Sequence, residues 1–252
     1  MRRVLMIHLH PFYSCAKCSF FLHKSCVELP RKKRHPLHLH PLTLHTKTPI
    51  WKKWFSCDAC DYPCNGFTYR CEECNIGLDV QCALGLDILT DEGHNHPLIL
   101  SRTSYMQSCH NCDFEDCVVF HCTTCEFALD FKCATLPLTT SYKQHEHPLT
   151  LCYTAEDAFG EYYCDICEEK QDPKKWFYYC ADCSYPAHPE CILGKSPNCK
   201  FGGVYTFDCH PHPLIFVEET KDHPRCHNCR DPCKEFVYQC AKCDFNIHSD
   251  CL

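Results

Sequence analysis

The chain has 252 residues, of which 29 are Cys and 19 His against only 8 Gly. Cysteine above about a tenth of the residues marks a scaffold stapled by disulfides or metal rather than one built on a single large apolar core. The formal charge of −7 lacks the electrostatic footprint of a general nucleic-acid binder.

Three features favour metal over disulfides. Cysteines form C-x2-C pairs at nine places, histidines recur in fixed register with them, and the cysteine total is odd. Nothing resembles a secretory signal, because Met1-Arg2-Arg3 is followed only by Val4 to Ile7 before His8 and His10 break the apolar run. No apolar run approaches the roughly 20 residues of a membrane-spanning helix. The expectation is Zn2+ in a reducing, intracellular compartment, cytoplasm or nucleus.

A five-residue word, His-x-His-Pro-Leu, punctuates the chain at His38, His94, His145 and His210, so the architecture is expected to repeat. In an extended segment, residues i and i+2 point the same way and the proline stiffens the chain beyond them. The word therefore reads as a joint, one His closing the preceding unit and the other opening the next.

In chain order, residues 1–38 hold a truncated unit with Cys15, Cys18, His23 and Cys26, ending at His38. Residues 40–94 form the first whole unit, with Cys57-x2-Cys60, Cys71-x2-Cys74 and Cys82. Residues 96–145 repeat it with Cys109-x2-Cys112, Cys122-x2-Cys125 and Cys133. Residues 147–210 carry Cys164-x2-Cys167, Cys180-x2-Cys183, His188 and Cys191, and residues 212–252 carry Cys226-x2-Cys229, Cys240-x2-Cys243, His248 and Cys251 before a shortened end. Phe67–Arg70, Val118–His121, Trp176–Tyr179 and Phe236–Gln239 each read as a short strand leading into a C-x2-C pair. Segments such as Phe245–Cys251 place His and Cys three apart, on one face of a single helical turn. The basic runs Arg31–Arg34 and Lys52-Lys53 read as a solvated linker and loop.

Two C-x2-C pairs, a His/Cys pair and flanking histidines give about eight donors per unit, enough for two closed four-coordinate zinc sites. The expected fold class is small α+β zinc-stabilised modules in tandem, each with short β-strands, a short helix, two zinc ions and little conventional core. Where the fourth and fifth units have His188 and His248, the second and third have Asp79 and Asp130, together with an extra Cys64 and Cys117. Either carboxylate or thiolate can complete the site, and the softer thiolate is favoured. Cys152, Cys209, His45, His110, His121, His223 and His227 fall outside the register. His110 and His227, each just after a Cys, are candidates for a hydrogen bond to a thiolate.

The order His, C-x2-C, C-x2-C, x4-His, x2-Cys and a closing residue resembles the zinc finger of protein kinase C and diacylglycerol sensors. The His-Pro-Leu words and Phe-x-Leu-His/Asp-x2-Cys endings resemble its plant version, the cysteine/histidine-rich divergent C-one family. That resemblance implies interleaved sites. One zinc of the fourth unit would take Cys164, Cys167, His188 and Cys191, and the other His147, Cys180, Cys183 and either Cys199 or His210, with His210 preferred. The second unit would use His40, Cys71, Cys74 and His94, and Cys57, Cys60 and Cys82 plus one more. The third would use His96, Cys122, Cys125 and His145, and Cys109, Cys112 and Cys133 plus one more. In the fifth, His212 would open the set.

Enough donors to close every site, no H-E-x-x-H and no recurring nucleophile–base pair argue against an enzyme. The expected role is a non-catalytic interaction scaffold, an elongated row of modules meeting a protein partner or a membrane surface. By analogy with the kinase finger, that role belongs to intracellular signal transduction. The stretch Trp51-Lys52-Lys53-Trp54-Phe55 offers basic charge flanked by aromatics, which suits a membrane. Diacylglycerol is disfavoured, since the loops between the paired C-x2-C motifs hold only 9 to 12 residues and no Gln-Gly precedes the second pair. The alternatives, thiol–disulfide redox work and nucleic-acid binding, lack respectively a thioredoxin-like stretch and a basic balance.

Overall fold

A computed structural model describes residues 12–14, 21–46, 54–85, 88–91, 93–153, 162–220 and 222–252. Four copies of one antiparallel meander of four strands account for most of it. The second module's sheet comprises Lys32–His35, His38–His45, Thr68–Cys71 and Gly77–Asp79. Ile88–Asp91, His94–Ser108, Glu115–Cys122 and Ala128–Leu129 make the third. The fourth and fifth start at Thr139 and Val204 and end at Ala187 and His248. One turn of helix follows each sheet: Val80–Ala83, Phe131–Ala134, Pro189–Leu193 and the 3-10 turn Ser249–Cys251. At the N-terminus, Phe12–Ser14 pairs with Phe21–His23.

Strand alternation explains what the repeated word does. His38, His40, Leu42 and Leu44 share one face of their strand, as alternate residues must. Leu42, Leu98, Leu149 and Leu214, the last letters of the four words, are all fully buried. The next residue on that face sits opposite an aromatic of the third strand: Leu44 against Tyr69, Leu100 against Phe120, Leu151 against Tyr178 and Phe216 against Tyr238. Such cross-strand pairs are the unit of sheet stability, and here they form each module's small core.

The word is therefore not a joint. Three copies open the second strand of a sheet whose first strand already precedes them, as the pairs His35–His38, Asp91–His94 and Phe207–His210 show, and the copy at His145 leads into Leu149–Cys152, likewise the second strand of its sheet. Both imidazoles of each word lie with one module's cysteine pair.

The Tyr69 and Tyr178 hydroxyls donate to the carbonyls of Pro30 and Pro137 at 2.7 Å, tying the entering chain to the sheet. The Tyr238 hydroxyl is buried and meets no partner among the described residues. Tyr69→Phe is expected to cost about 1 kcal/mol by leaving a carbonyl unpaired, and Tyr238→Phe close to nothing. Thermal unfolding of the metal-loaded variants, side by side, checks this.

The modules do not form the expected elongated row. Trp54 of the second stacks on Phe236 of the fifth, with ring centroids 4.8 Å apart, and its Nε1 donates to Ser249 Oγ at 2.9 Å. Asn65 of the second exchanges two hydrogen bonds with the backbone of Lys200, beyond the fourth module's helix. The third meets the fourth through Asn111 Oδ1, which accepts from Trp176 N, and through an ion pair between Asp113 and Lys175. One apolar cluster runs through the second to fourth modules, and the fifth has its own.

Trp51, Lys52 and Lys53 lie outside the described residues, while Phe55 is buried and Trp54 is occupied by the fifth module. No helix among the described residues is long and apolar enough to cross a membrane.

Candidate metal centres

Two kinds of donor cluster recur. In the first, the two His of the word meet the C-x2-C that follows the third strand. Leu42 lies opposite Cys71, so His40 and His38, two and four residues upstream on the same face, reach past the strand end over the Cys71–Cys74 turn. The resulting groups are His38/His40/Cys71/Cys74, His94/His96/Cys122/Cys125, His145/His147/Cys180/Cys183 and His210/His212/Cys240/Cys243. In each, one donor atom per residue lies within 4.8 Å of all the others. The second His offers Nδ1: His40 stands 3.3 Å from Cys74 Sγ and His147 3.1 Å from Cys183 Sγ. The first offers Nε2: His94 is 3.5 Å from Cys125 Sγ and His210 3.4 Å from Cys243 Sγ.

The first His is held by stacking on the aromatic two residues after the cysteine pair. His94 lies on Phe127, His145 on Tyr185 and His210 on Phe245, with centroids 4.2 to 4.5 Å apart. The turn's own N–H groups point at sulfur, with Cys74 N 3.2 Å from Cys71 Sγ and Thr124 N 3.2 Å from Cys122 Sγ. Such bonds favour the thiolate.

Several sequence expectations change here. His94 does not close the site of His40, nor His145 that of His96; each belongs with the His two residues on. Neither Cys199 nor His210 completes the fourth module's set, because His145 does so. His38, assigned to the truncated unit, belongs to the second module.

The second kind of cluster joins the first C-x2-C to the helical turn. Cys164, Cys167, His188 and Cys191 form one such group, and Cys226, Cys229, His248 and Cys251 are its counterpart, with His248 Nδ1 3.3 Å from Cys229 Sγ and 3.8 Å from Cys251 Sγ. In the second and third modules a carboxylate stands where the other two have the imidazole. Asp79 Oδ2 lies 3.2 Å from Cys60 Sγ, and Asp130 Oδ2 2.9 Å from Cys112 Sγ. The other oxygen of each caps the helix, accepting from Cys82 N at 2.8 Å and Cys133 N at 2.7 Å. The His at this position makes no such cap.

The preferred Cys64 and Cys117 do not occupy that place in the structure, which the carboxylates hold. The Cys64 thiol donates to the Tyr62 carbonyl at 3.2 Å, and Cys117 sits 3.7 Å from the Arg102 guanidinium. The contacts of His110 and His227 run to the backbone and to aromatic rings. Both imidazoles accept from the backbone N–H of Ala128 and Asn246 across the module and lie against Phe127 and Phe245. The bond from Asn111 Nδ2 to Cys133 Sγ, at 3.2 Å, had no signal in the sequence.

The electrostatics of these crowded sulfurs suit a cation. Hydrogen bonds from Cys60 and Cys82 draw the Cys57 thiol well down, while Cys57 and then Cys60 push Cys82 far up. Cys109, Cys112 and Cys133 divide in the same way. Burial, and then the Cys57 charge, raises the Asp79 carboxyl to about 6, and burial also raises Asp130. Sulfurs crowded this closely cannot all ionise alone; a divalent ion among them would let them do so. Soft thiolates with imidazole, four donors to a group, are the donor set of structural zinc.

Of the first unit, Cys15 and Cys18 lie outside the described residues, and His23 Nδ1 is 4.0 Å from Cys26 Sγ.

Tandem four-stranded modules with paired Cys/His clusters define a repeated metal-binding finger. The C1 domain family model matches residues 36–83, 143–192 and 208–252, more than half of the chain. The chain belongs to the C1 domain family, in a divergent zinc-finger form. Its third module, between the first two matched stretches, repeats the same geometry. No curated protein and no solved structure matches the chain.

Proposed function

We propose that this protein is a non-catalytic scaffold for protein partners in intracellular signal transduction, its modules each folded around two zinc ions. The recurrence of four-donor clusters supports this reading, because a catalytic zinc keeps a position for water or substrate. A protein partner is favoured over a membrane because Trp54 and Phe55 turn inward. The exposed apolar side chains include Tyr105 and Met106, close together on the strand His94–Ser108, and Leu39 and Val204 elsewhere.

Metal analysis of the purified, reduced chain is expected to give zinc near two ions per complete module. Sedimentation with anionic liposomes, with and without diacylglycerol, is expected to leave it in the supernatant. Pelleting only when diacylglycerol is present would replace the protein partner with a lipid.

A further inference from the structure

The C-terminal cluster has one donor too many. Cys226 N–H donates to the Asp231 carbonyl at 2.8 Å, and Arg225 bridges Pro232 in an antiparallel pair. Cys233 therefore lies two residues beyond the partner of Cys226 and on the same face. It is fully buried and its backbone is fixed on both sides. Its N–H donates to Pro224 O at 2.8 Å and its carbonyl accepts from the buried Thr220 hydroxyl at 2.6 Å. Burial, and then the neighbouring Cys226 and Cys229, push its thiol up to about 11. Meanwhile Nε2 of His248 lies 3.2 Å from the carbonyl of Pro232, next to Cys233 in the chain.

Register sets this module apart. In the fourth module Cys164 pairs with Glu169, so the equivalent position is Gln171. In the third, Cys109 pairs with Phe114, the equivalent is Asp116, and Cys117 falls one residue late. Only Cys64 of the second module shares the position, and its thiol is engaged by the Tyr62 carbonyl.

We propose that Cys233 is a reserve ligand, so that the terminal site passes between three thiolates with His248 and four thiolates with Cys233, and suits thiophilic d10 ions such as zinc and cadmium. In the exchange the bond from the ion to His248 Nδ1 breaks and a bond to Cys233 Sγ forms. The thiol proton moves to the freed imidazole nitrogen, so net charge and proton count are unchanged. The inference rests on the zinc-binding reading above.

The test counts zinc per chain after gel filtration at neutral pH. His248→Ala is expected to keep the full wild-type count. His188→Ala, which has Gln171 in place of a reserve thiol, is expected to lose one ion, as is His248→Ala with Cys233→Ser. Loss of one ion from His248→Ala alone would overturn the proposal. A second measurement spares His248: the cadmium-loaded wild-type chain should show a four-sulfur 113Cd resonance that disappears in Cys233→Ser. Its absence from the wild type, or its persistence in the variant, would also overturn it. A wild-type chain without bound zinc would instead sink the underlying metal reading.

Discussion

Stripping zinc from the reduced chain at neutral pH with a strong chelator is expected to abolish its cooperative melt and its resistance to protease. Each module buries one short leucine–aromatic ladder, as in Leu42, Leu44 and Tyr69. Units of this size rarely obtain more than a few kcal/mol from a core. Structural zinc contributes about 10–16 kcal/mol in small finger peptides at pH 7, so the ion outweighs the apolar term several-fold. Without it, crowded sulfurs such as Cys57, Cys60 and Cys82 must reprotonate and the helical turn loses its anchor. Circular dichroism during titration with chelator, followed by zinc add-back, measures the effect. A chelated chain that still melted cooperatively at the original temperature would show the apolar ladders to be sufficient.

Asp130→Ala is expected to release one zinc ion and to loosen the third module. The side chain has two tasks, with Oδ2 facing Cys112 Sγ and Oδ1 capping the helix at Cys133 N. Losing the cap alone costs about 1 kcal/mol. Losing the ligand as well leaves three sulfurs without a fourth donor, which is the larger effect. Asp130→His should restore the zinc count, because the backbone at His188 takes nearly the same extended conformation and offers Nδ1 to sulfur. It should still melt below wild type, since an imidazole committed to the ion makes no cap. Cys117→Ser should change neither number. Zinc retained by Asp130→Ala but lost from Cys117→Ser would return the ligand to the thiol.

The repeats, the C-x2-C pairs, the strands leading into them and the His/Cys turn were legible in the sequence because each is a local signal. The short strand at Thr68–Cys71 and the helical turn Val80–Ala83 need only neighbouring residues to specify them. What the sequence hid depends on register. That His38 and His40 share one site follows from Leu42 standing opposite Cys71, a pairing across 29 residues. The role of the extra cysteines turns on parity: Cys233 is two residues past the partner of Cys226, whereas Cys117 is three past that of Cys109. The packing of Trp54 on Phe236 joins residues 182 apart with no pattern to announce it.

All donors of the second module's clusters fall between His38 and Cys82, those of the third between His94 and Cys133, and those of the fourth between His145 and Cys191. The segments do not overlap. Unequal recombination between copies could thus add or delete a whole segment and leave every other ion fully coordinated. A layout in which neighbours shared imidazoles would orphan a site at each such event. Variation in copy number is therefore a cheap path of inheritance for this architecture, and its natural cut points are the short stretches after Ala83, Ala134 and Leu193, where each helical turn ends.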